Sequence, residues 1–340
     1  MRRGNYDTSI VSHMRDGEAV DLSDRNRPSK LALLVKCSGG FFLLVGAVAA
    51  VMGPIETYCF YLFGPGGRFQ YPGFGFGSLM FANVAVQIAG YYLIAAVFLP
   101  LGYGHLTLRR WARTLGEALL WCWVVFGVPL VVFFVLVLLQ AKPITKGVLP
   151  LLGLSCFLLY PLIPAGLLYF YRRSDVREVF ETRDTNRSVL EILPQAVLVQ
   201  GILLVFFALV HHLPFLFNGL VPFFGTFLVA FDGFLLSGFV IPGLAGLSVG
   251  VFARKAWAWW GSILYLVLAG ISSVLTLSSV SFKEMIAMAK LPTVELQALQ
   301  NVPLESTHVL IVIMMPLLLA LFVFVRSHRD FASIRPDQAG

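Results

Sequence analysis

The sequence carries little charge. Asp, Glu, Lys and Arg together make up 13% of its 340 residues, whereas 58% of the residues are hydrophobic. Soluble globular domains carry about 25% charged residues, and one soluble core cannot bury this much apolar surface. The composition therefore excludes a soluble domain and predicts a chain that lies in a membrane.

Cysteine is also scarce, and the motifs of several enzyme classes are missing. The four cysteines show neither metal-ligand nor redox spacing, so we expect no disulfide framework. The sequence has no G-x-x-x-x-G-K phosphate loop and no Rossmann glycine pattern. It also lacks the clusters of intramembrane charges that ion pumps carry. These features favour a protein that is not an enzyme.

Eight apolar stretches approach or exceed the roughly 20 helical residues that cross the hydrocarbon core of a bilayer. They are predicted near 31–53, 79–101, 117–139, 147–171, 193–211, 230–252, 257–279 and 307–325. Lipid offers no partner to backbone polar groups, and the stretches lack the period-2 alternation of barrel strands. The predicted fold class is an all-α, polytopic integral membrane helix bundle of about eight transmembrane helices.

Basic residues are concentrated on one side of this arrangement. The side that holds both termini carries 19 Lys and Arg residues, and the opposite side carries 5. This asymmetry places both termini in the cytoplasm and fits a bacterial cytoplasmic (inner) membrane. Residues 1–30 contain no apolar core of a signal peptide, so the first span is expected to direct insertion. Because the basic residues are spread over all inner segments, the net charge of +7 does not indicate nucleic-acid binding.

Two similar junctions suggest an internal duplication of four spans plus four spans. The segment RRWARTLGEALLW at 109–121 has a looser copy, RKAWAWWGSILYL, at 254–266, and both lie between long apolar stretches. Counting back from the arginines places Gln87 and Asp232 at equivalent depth. Because each unit has an even number of crossings, the two units share one orientation, as in a parallel repeat.

Prolines extend this match between the units. Pro161 and Pro164 fall within the fourth span and Pro316 within the eighth, while the first and fifth spans are predicted to end at Pro54 and Pro214. The predicted organisation is a cytoplasmic polar tail (1–30), a first four-helix membrane unit (31–171), a cytoplasmic linker (172–192), a second four-helix membrane unit (193–326) and a cytoplasmic tail (327–340).

The segments between the spans differ in character. The linker is predicted to form a short helix that Ser174 caps, with Val176, Val179 and Phe180 on one face, and to act as a connector. The outer loop 54–78 holds eight aromatic residues among glycines and prolines. So much exposed aromatic surface is typical of a segment that covers the bundle, enters the interface or meets a partner. The last outer loop is predicted to form two short helices split at Pro292.

One catalytic motif is present as a residue pattern without its structural context. GLSVG at 246–250 fits the G-x-S-x-G pattern of a nucleophile elbow, but that motif requires a strand, a strained turn and a helix. Here it falls inside a predicted helix with no sheet nearby, so Ser248 is not expected to be catalytic. Gly246 and Gly250 are interpreted as a small-residue face that lets the sixth span pack closely.

The outer ends of several spans carry ionisable residues. Asp232 is the one acidic residue clearly within an apolar stretch, and His211, His212 and His308 are predicted at the same level. Together they suggest a proton relay or a metal or haem site, although structural hydrogen bonding explains them as well. Gln87 is predicted to be an intramembrane polar residue that bonds between helices.

The prolines of the fourth and eighth spans leave backbone carbonyls near mid-membrane without their helical N–H donors. Plain kinks at Pro161, Pro164 and Pro316 are the preferred interpretation, and a transporter site built from discontinuous helices is the alternative. Glu117 is explained by a pair with Arg113, four residues earlier on the same helical face.

These observations predict a non-enzymatic structural or accessory subunit of a larger membrane protein assembly. Its expected partners are membrane lipids and other membrane protein subunits, which bind through the aromatic outer loops. A transporter or flippase for a lipid or other apolar small molecule is the alternative, since such a substrate requires no buried charge. A third hypothesis is a cofactor-holding subunit with His211, His212 or His308 as ligands, although the sequence identifies no particular cofactor.

Overall fold

A computed structural model describes residues 22–140, 149–300 and 304–332 of the chain. Most of the predicted tails, 1–30 and 327–340, lie outside the described residues.

The described chain is almost entirely helical. In chain order its helices are α1 (Leu22–Phe63), α2 (Leu79–Leu106), α3 (Arg110–Gln140), α4 (Leu149–Phe157), α5 (Ile163–Arg172), α6 (Ser174–Arg183), α7 (Val189–Ile192), α8 (Gln195–Val210), α9 (Leu213–Leu216), α10 (Ala230–Phe252), α11 (Ala256–Ser279), α12 (Phe282–Met288), α13 (Thr293–Gln300), α14 (Ser306–Arg326) and α15 (His328–Ala332). A π-helical turn, Leu158–Leu162, joins α4 to α5, and two short strands, β1 (Val221–Phe223) and β2 (Thr226–Leu228), precede α10.

Eight helical segments in the described ranges are long and apolar enough to cross a membrane. Helices α4 and α5 form the fourth with the π-helical turn, and α8 and α9 together form the fifth. The predicted all-α bundle with eight candidate membrane-spanning helices is thus confirmed at this level. The third segment begins at Arg110 rather than at 117, so Glu117 lies about two turns inside its helix.

The bundle has two distinct ends, which we name by what they carry. The linker face carries the α2–α3 turn, the α10–α11 turn, α6 and α15. The loop face, at the opposite end, carries the segments 64–78, 211–229 and 280–300. Successive spans alternate in direction between these two faces.

The predicted end of the first span at Pro54 is wrong. Helix α1 continues through this proline to Phe63. A proline within a helix leaves the carbonyl four residues earlier, here that of Ala50, without its ladder hydrogen bond, and membrane helices tolerate this loss. The apolar residues that follow therefore extend the helix rather than begin a loop.

The prolines of the fourth span lie at its change of helical type. Pro161 lies inside the π-helical turn, and Pro164 lies in the first turn of α5, where a missing N–H costs little. Pro316 lies within α14, which continues past it as one helix. The two spans thus accommodate their prolines differently.

The expectation of no sheet is wrong for the second loop-face segment. Residues 221–228 form an antiparallel hairpin with Phe223 opposite Thr226. Backbone groups of the hairpin that take no part in strand pairing form hydrogen bonds with hydroxyls of α11. Ser272 donates to the Pro222 carbonyl at 3.0 Å, and Thr276 donates to the Thr226 carbonyl at 3.2 Å. These hydroxyls let irregular backbone lie against a membrane helix, because they replace the water that lipid excludes.

The two remaining predictions for the connecting segments are largely confirmed. The last loop-face segment forms α12 and α13 on either side of Pro292. The linker forms α6, with Val176, Val179 and Phe180 buried on one face. Its predicted cap is wrong, because only Arg173 has an extended backbone between α5 and α6 and Ser174 is already helical.

Three hydrophobic clusters lie within the described residues, and the smallest joins α1, α2 and α3 around Phe42, Leu101 and Ala112. The largest cluster joins α8, α10, α11 and α14 to one face of α3. The second cluster, at the linker face, joins α1, α5 and α6 to another face of α3 around the fully buried Tyr171 and Phe180. Helix α3 therefore connects the first four spans to the last four.

Candidate functional site

The α2–α3 and α10–α11 turns at the linker face have the same backbone geometry. Arg109 N donates to the Gly104 carbonyl at 2.7 Å, and Lys255 N donates to the Gly250 carbonyl at 2.8 Å. The residue before each of these amides has a positive φ, of 56° and 55° respectively. The matching positions lie 146 residues apart in the sequence.

The same two glycines let the following helix approach closely. A Cβ at Gly104 would lie 2.5 Å from the Cβ of Ala112, and a Cβ at Gly250 would lie 2.5 Å from the Cβ of Ala258. The tryptophan before each alanine lies against the same glycine. Gly246, by contrast, has open space where its Cβ would be, so the predicted small-residue face is restricted to Gly250.

Polar side chains also join the first and fourth spans of each set of four. The Ser38 hydroxyl lies 2.9 Å from the Tyr171 hydroxyl, and the fully buried Gln200 amide donates to the Ser327 hydroxyl. The hydroxyl of Ser248 donates to the Gly201 carbonyl at 2.9 Å inside the helix bundle. Each of these groups therefore serves helix packing, and Ser248 has no place in a nucleophile elbow.

Ion pairs fix the linker to the start of α3. The Arg110 guanidinium lies 2.9 Å from the Glu191 carboxylate and 3.6 Å from that of Glu181. Arg177 donates a hydrogen bond of 2.7 Å to Glu181, which holds the pKa of that carboxyl below its usual value. The predicted pair between Arg113 and Glu117 is confirmed. The linker is thus attached to the membrane domain along its length.

A single carboxylate fastens the loop face. Glu295 of α13 is 6% exposed and caps the first turn of α2. Its oxygens accept hydrogen bonds from the Ser78 hydroxyl at 2.8 Å, the Leu79 amide at 2.6 Å and the Met80 amide at 3.0 Å. A carboxylate at a helix N-terminus satisfies free amides and complements the helix dipole. This contact, which we call the Glu295 clamp, joins the last loop-face segment to the second span.

One stripe of α2 changes from buried to open along its length. Leu101 and His105 lie on it at the linker-face end, where both are buried. Ile94, Gly90 and Gln87 continue the same stripe at helical spacing toward the loop face. Ile94 is 36% exposed, and a Cβ at Gly90 would meet nothing within 4 Å. Between Val84 and Phe98 the only buried residue of α2 is Ala95.

The linker-face end of this stripe lies against α3, where Gly116 faces Leu101 and His105. Leu119 of α3 packs against the end of α2, and Phe126 and Leu130 follow it on the same face at seven and eleven residues. Phe126 lies 3.9 Å, between ring centroids, from Phe206 of α8, and Leu130 is 37% exposed. We call the space between these residues and the open part of the α2 stripe the α2 recess.

Two amide side chains enter this recess from α2. Gln87 is half-buried, and Asn83, one turn nearer the loop face, is exposed. Neither amide has a hydrogen-bond partner in the part of the chain that the structure describes. An unpaired amide at this depth is costly in hydrocarbon, so these groups mark the recess as a candidate binding site.

The histidines predicted as ligands each bond to local backbone. His211 and His212 end α8, and their Nδ1 atoms lie 2.8 Å and 3.0 Å from the Phe207 and Ala208 carbonyls. His308 lies in the first turn of α14, where its Nδ1 accepts from the Glu305 amide at 3.1 Å. No group of three metal-ligating side chains occurs within the described residues.

Asp232, the predicted partner of these histidines, lies in the first turn of α10 with its side chain exposed. It has no ion pair or hydrogen bond among the described residues. The nitrogen Nε2 of His211 instead faces the Tyr265 hydroxyl at 3.4 Å. The structure therefore brings His211 to an aromatic alcohol rather than to the carboxylate.

The fold and these contacts define a polytopic helical protein of the integral membrane class. No protein-family model matches the chain, and neither curated proteins nor solved structures show a detectable similarity to it.

Sequence reasoning missed the Glu295 clamp, and it identified Gln87 only as an amide that bonds between helices. Glu295 lies in a short amphipathic helix, and nothing in its sequence neighbourhood indicates that it caps α2 more than 200 residues away. The spacing of Asn83 and Gln87, by contrast, is a readable signal, since residues four apart share a helix face.

Proposed function

We propose that the chain is a non-enzymatic accessory subunit of a larger membrane assembly. The exposed aromatic surface of the loop face is the observation that supports it. Phe69 and Phe76 lie in the segment between α1 and α2, beyond the ends of both helices, and their side chains are 59% and 78% exposed. Clustered exposed aromatic side chains are typical of surfaces that meet a partner.

The proposed architecture is a parallel repeat of two four-helix units. It is supported by the shared geometry of the two linker-face turns and by the matching bonds between the first and fourth spans. In this proposal the linker face is cytoplasmic, as the basic residues of the linker favour, and the membrane is a bacterial inner membrane.

Four polar side chains inside the bundle are consistent with a structural role. Ser38, Gln200, Ser248 and Trp259 all bond to neighbouring helices, so they serve packing rather than line a path across the membrane. A subunit whose work is to hold helices in place requires no such path.

The test is to compare what copurifies with the native chain and with a Phe69→Ser, Phe76→Ser double variant after gentle solubilisation. We expect the native chain to retain other membrane subunits and the double variant to lose them. Tyr169→Ser is the matched control, because Tyr169 is an aromatic residue of α5 that is 75% exposed at the other end of the bundle. A native chain that purifies alone, with no partner trapped by cross-linking in the membrane, contradicts the proposal.

A second function, transport of a lipid or other apolar molecule, is favoured by one feature of the second unit. An entirely apolar groove of about 320 Å³ lies between α11 and α14, lined by Leu266, Gly270, Met314 and Leu317 among others. It lies beside Pro316. In this hypothesis Leu317→Trp fills the groove and slows lipid movement between leaflets in reconstituted vesicles, and an unchanged rate excludes the groove as the pathway. The histidine-ligand hypothesis has no such support among the described residues.

A further inference from the structure

The α2 recess has a counterpart in the second unit that is already filled. Positions 146 residues after Phe126 and Leu130 of α3 are Ser272 and Thr276 of α11. These two hydroxyls are the ones that hold the β1–β2 hairpin against α11. The hairpin therefore covers, beside α11, the level at which Phe126 of α3 packs on Phe206 of α8 and Leu130 of α3 is exposed.

The facing helix shows the same contrast. In the 146-residue register of the two turns, the position matching Gln87 is the buried Gly233 of α10 rather than Asp232, which the sequence alignment placed at this depth. A Cβ at Gly233 would lie 1.6 Å from the Gly219 carbonyl oxygen, so the segment before the hairpin packs directly on α10. In α2 the same level carries a glutamine with open space beside it. The fold thus contains one recess closed by its own chain and one that the described chain leaves open.

The depths of Asn83 and Gln87 along α2 indicate which part of a lipid would lie beside each amide. Helix α2 has 28 residues and is about 42 Å long, about 12 Å longer than the roughly 30 Å hydrocarbon core. Asn83 lies about 6 Å and Gln87 about 12 Å from the loop-face end of α2. With α2 centred in the bilayer, Asn83 lies at the edge of the hydrocarbon, where the ester groups of lipids are found. The Gln87 side chain leans toward the same edge, because helix side chains tilt toward the N-terminus.

The remaining surface of the recess suits an acyl chain. Gly90 leaves a notch on α2, Ile94 continues it toward the linker face, and Leu130 lies on the α3 side. None of these side chains offers a hydrogen bond. The recess therefore combines two amide donors at ester depth with an apolar channel below them.

We propose that the α2 recess binds one diacyl glycerolipid from the leaflet at the loop face. An ester carbonyl of this lipid accepts hydrogen bonds from Gln87 and Asn83, and an acyl chain lies along Gly90 and Ile94. The lipid replaces the hairpin that fills the matching space in the second unit. The inference rests on the paired-unit architecture proposed above and is independent of the aromatic partner surface.

The experiment counts lipid molecules that remain bound to the purified chain through detergent exchange, measured by native mass spectrometry. We expect one retained glycerolipid per native chain. Gln87→Leu should weaken retention roughly 5- to 30-fold, as the loss of an amide hydrogen bond in a membrane predicts. Gln87→Asn keeps an amide and should retain more lipid than Gln87→Leu. The elution profile of each variant shows whether it stays folded.

A pair of tryptophan variants separates a built site from general solvation by lipid. Ile94→Trp fills the recess and should abolish retention, whereas Leu93→Trp is turned about 100° around α2 and should not. Leu93 is 47% exposed, so it accepts a large side chain without repacking. Equal loss in both variants, or no retained lipid on the native chain, overturns the proposal.

Cross-linking from Gln87→Cys distinguishes a lipid from a partner helix. A cross-link to another protein overturns the lipid assignment and leaves the accessory-subunit proposal standing. Retained lipid without any copurifying subunit supports the lipid site and contradicts the accessory-subunit proposal, because the recess is then occupied while the aromatic surface has no partner. A topology map in which the α2–α3 and α10–α11 turns label from opposite sides removes the paired-unit premise.

Discussion

The two sets of four spans are packed to different degrees. In the second set the most apolar stretches of the fifth and seventh spans have 44% and 39% of their residues buried, against 17% in the second span and 11% in the fourth. The turn geometry at the linker face is nonetheless the same in both. The last four spans are thus more closely packed than the first four, and the hairpin contributes to the burial of the seventh span.

Gly233 of α10 and Gly90 of α2 provide the strongest test of this difference in packing. Gly233→Ala should destabilise the protein by about 3 kcal/mol or more, because its Cβ would overlap the Gly219 carbonyl oxygen in backbone that cannot easily move. Gly90→Ala should stabilise the protein by about 0.5–1 kcal/mol, since nothing lies within 4 Å of its Cβ position and alanine is the better helix former. Thermal unfolding in detergent measures both. Similar losses in the two variants would show that the α2 recess is filled.

The hydroxyls beneath the hairpin should have the next largest effect. Ser272→Ala removes the partner of the Phe224 amide and of the Pro222 carbonyl, and should cost about 1–3 kcal/mol. Hydrogen exchange at the hairpin amides should rise in this variant. Phe126→Leu, at the matching position of α3, is the control and should leave those amides protected. Unchanged exchange in Ser272→Ala would mean that strand pairing and Thr276 hold the hairpin without Ser272.

The Glu295 clamp should have a moderate effect confined to the loop face. Glu295→Gln keeps the size of the side chain but removes the charge that faces the α2 N-terminus, and should cost about 0.5–2 kcal/mol. Proteolysis within the segment 280–300 should become faster. Glu284→Gln is the control, because Glu284 caps its own helix at the exposed Ser281 rather than α2. Equal proteolysis in both variants would argue against a clamp between the segment 280–300 and α2.

The smallest expected effect is the pH dependence of the linker. The hydrogen bond from Arg177 lowers the pKa of Glu181 in the folded state, so its contribution is present above the ordinary glutamate pKa of 4.5 and is lost as pH falls through the lowered value. Because the Arg177 side chain is 61% exposed and the Glu181 side chain 36%, solvent screens the pair and the effect should be below about 1 kcal/mol. Limited proteolysis of the linker between pH 7 and about pH 4 measures it. A linker that becomes more resistant on acidification would reverse the expected sign.

The fold was predictable from the sequence because membrane helices obey a simple physical rule. Lipid forces each apolar stretch to satisfy its own backbone, so eight such stretches give eight helices. Boundaries were less predictable, as Pro54 shows, since a proline that ends a soluble helix is tolerated within a membrane span. The hairpin escaped prediction because its stability comes from the hydroxyls of Ser272 and Thr276, which lie some 50 residues away.

The candidate site was predictable only in part. Gln87 attracted attention as an intramembrane amide, but whether it faces a helix, lipid or a recess depends on how α2 diverges from α3, which no local pattern encodes. The histidines were predicted as ligands because imidazole binds metals and haem. In the structure, His211 and His212 bond to carbonyls of the helix that they follow. Long-range contacts such as that of Glu295 leave no signal in a single sequence.

The central claim is that one recess is open and its counterpart is filled by the chain itself. Cysteine labelling at Leu130→Cys and Thr276→Cys with a lipid-soluble maleimide tests it most directly. Leu130 is 37% exposed and Thr276 is fully buried at the matching position. We predict rapid labelling at position 130 and almost none at position 276 in the native membrane, and equal labelling at both would contradict the account.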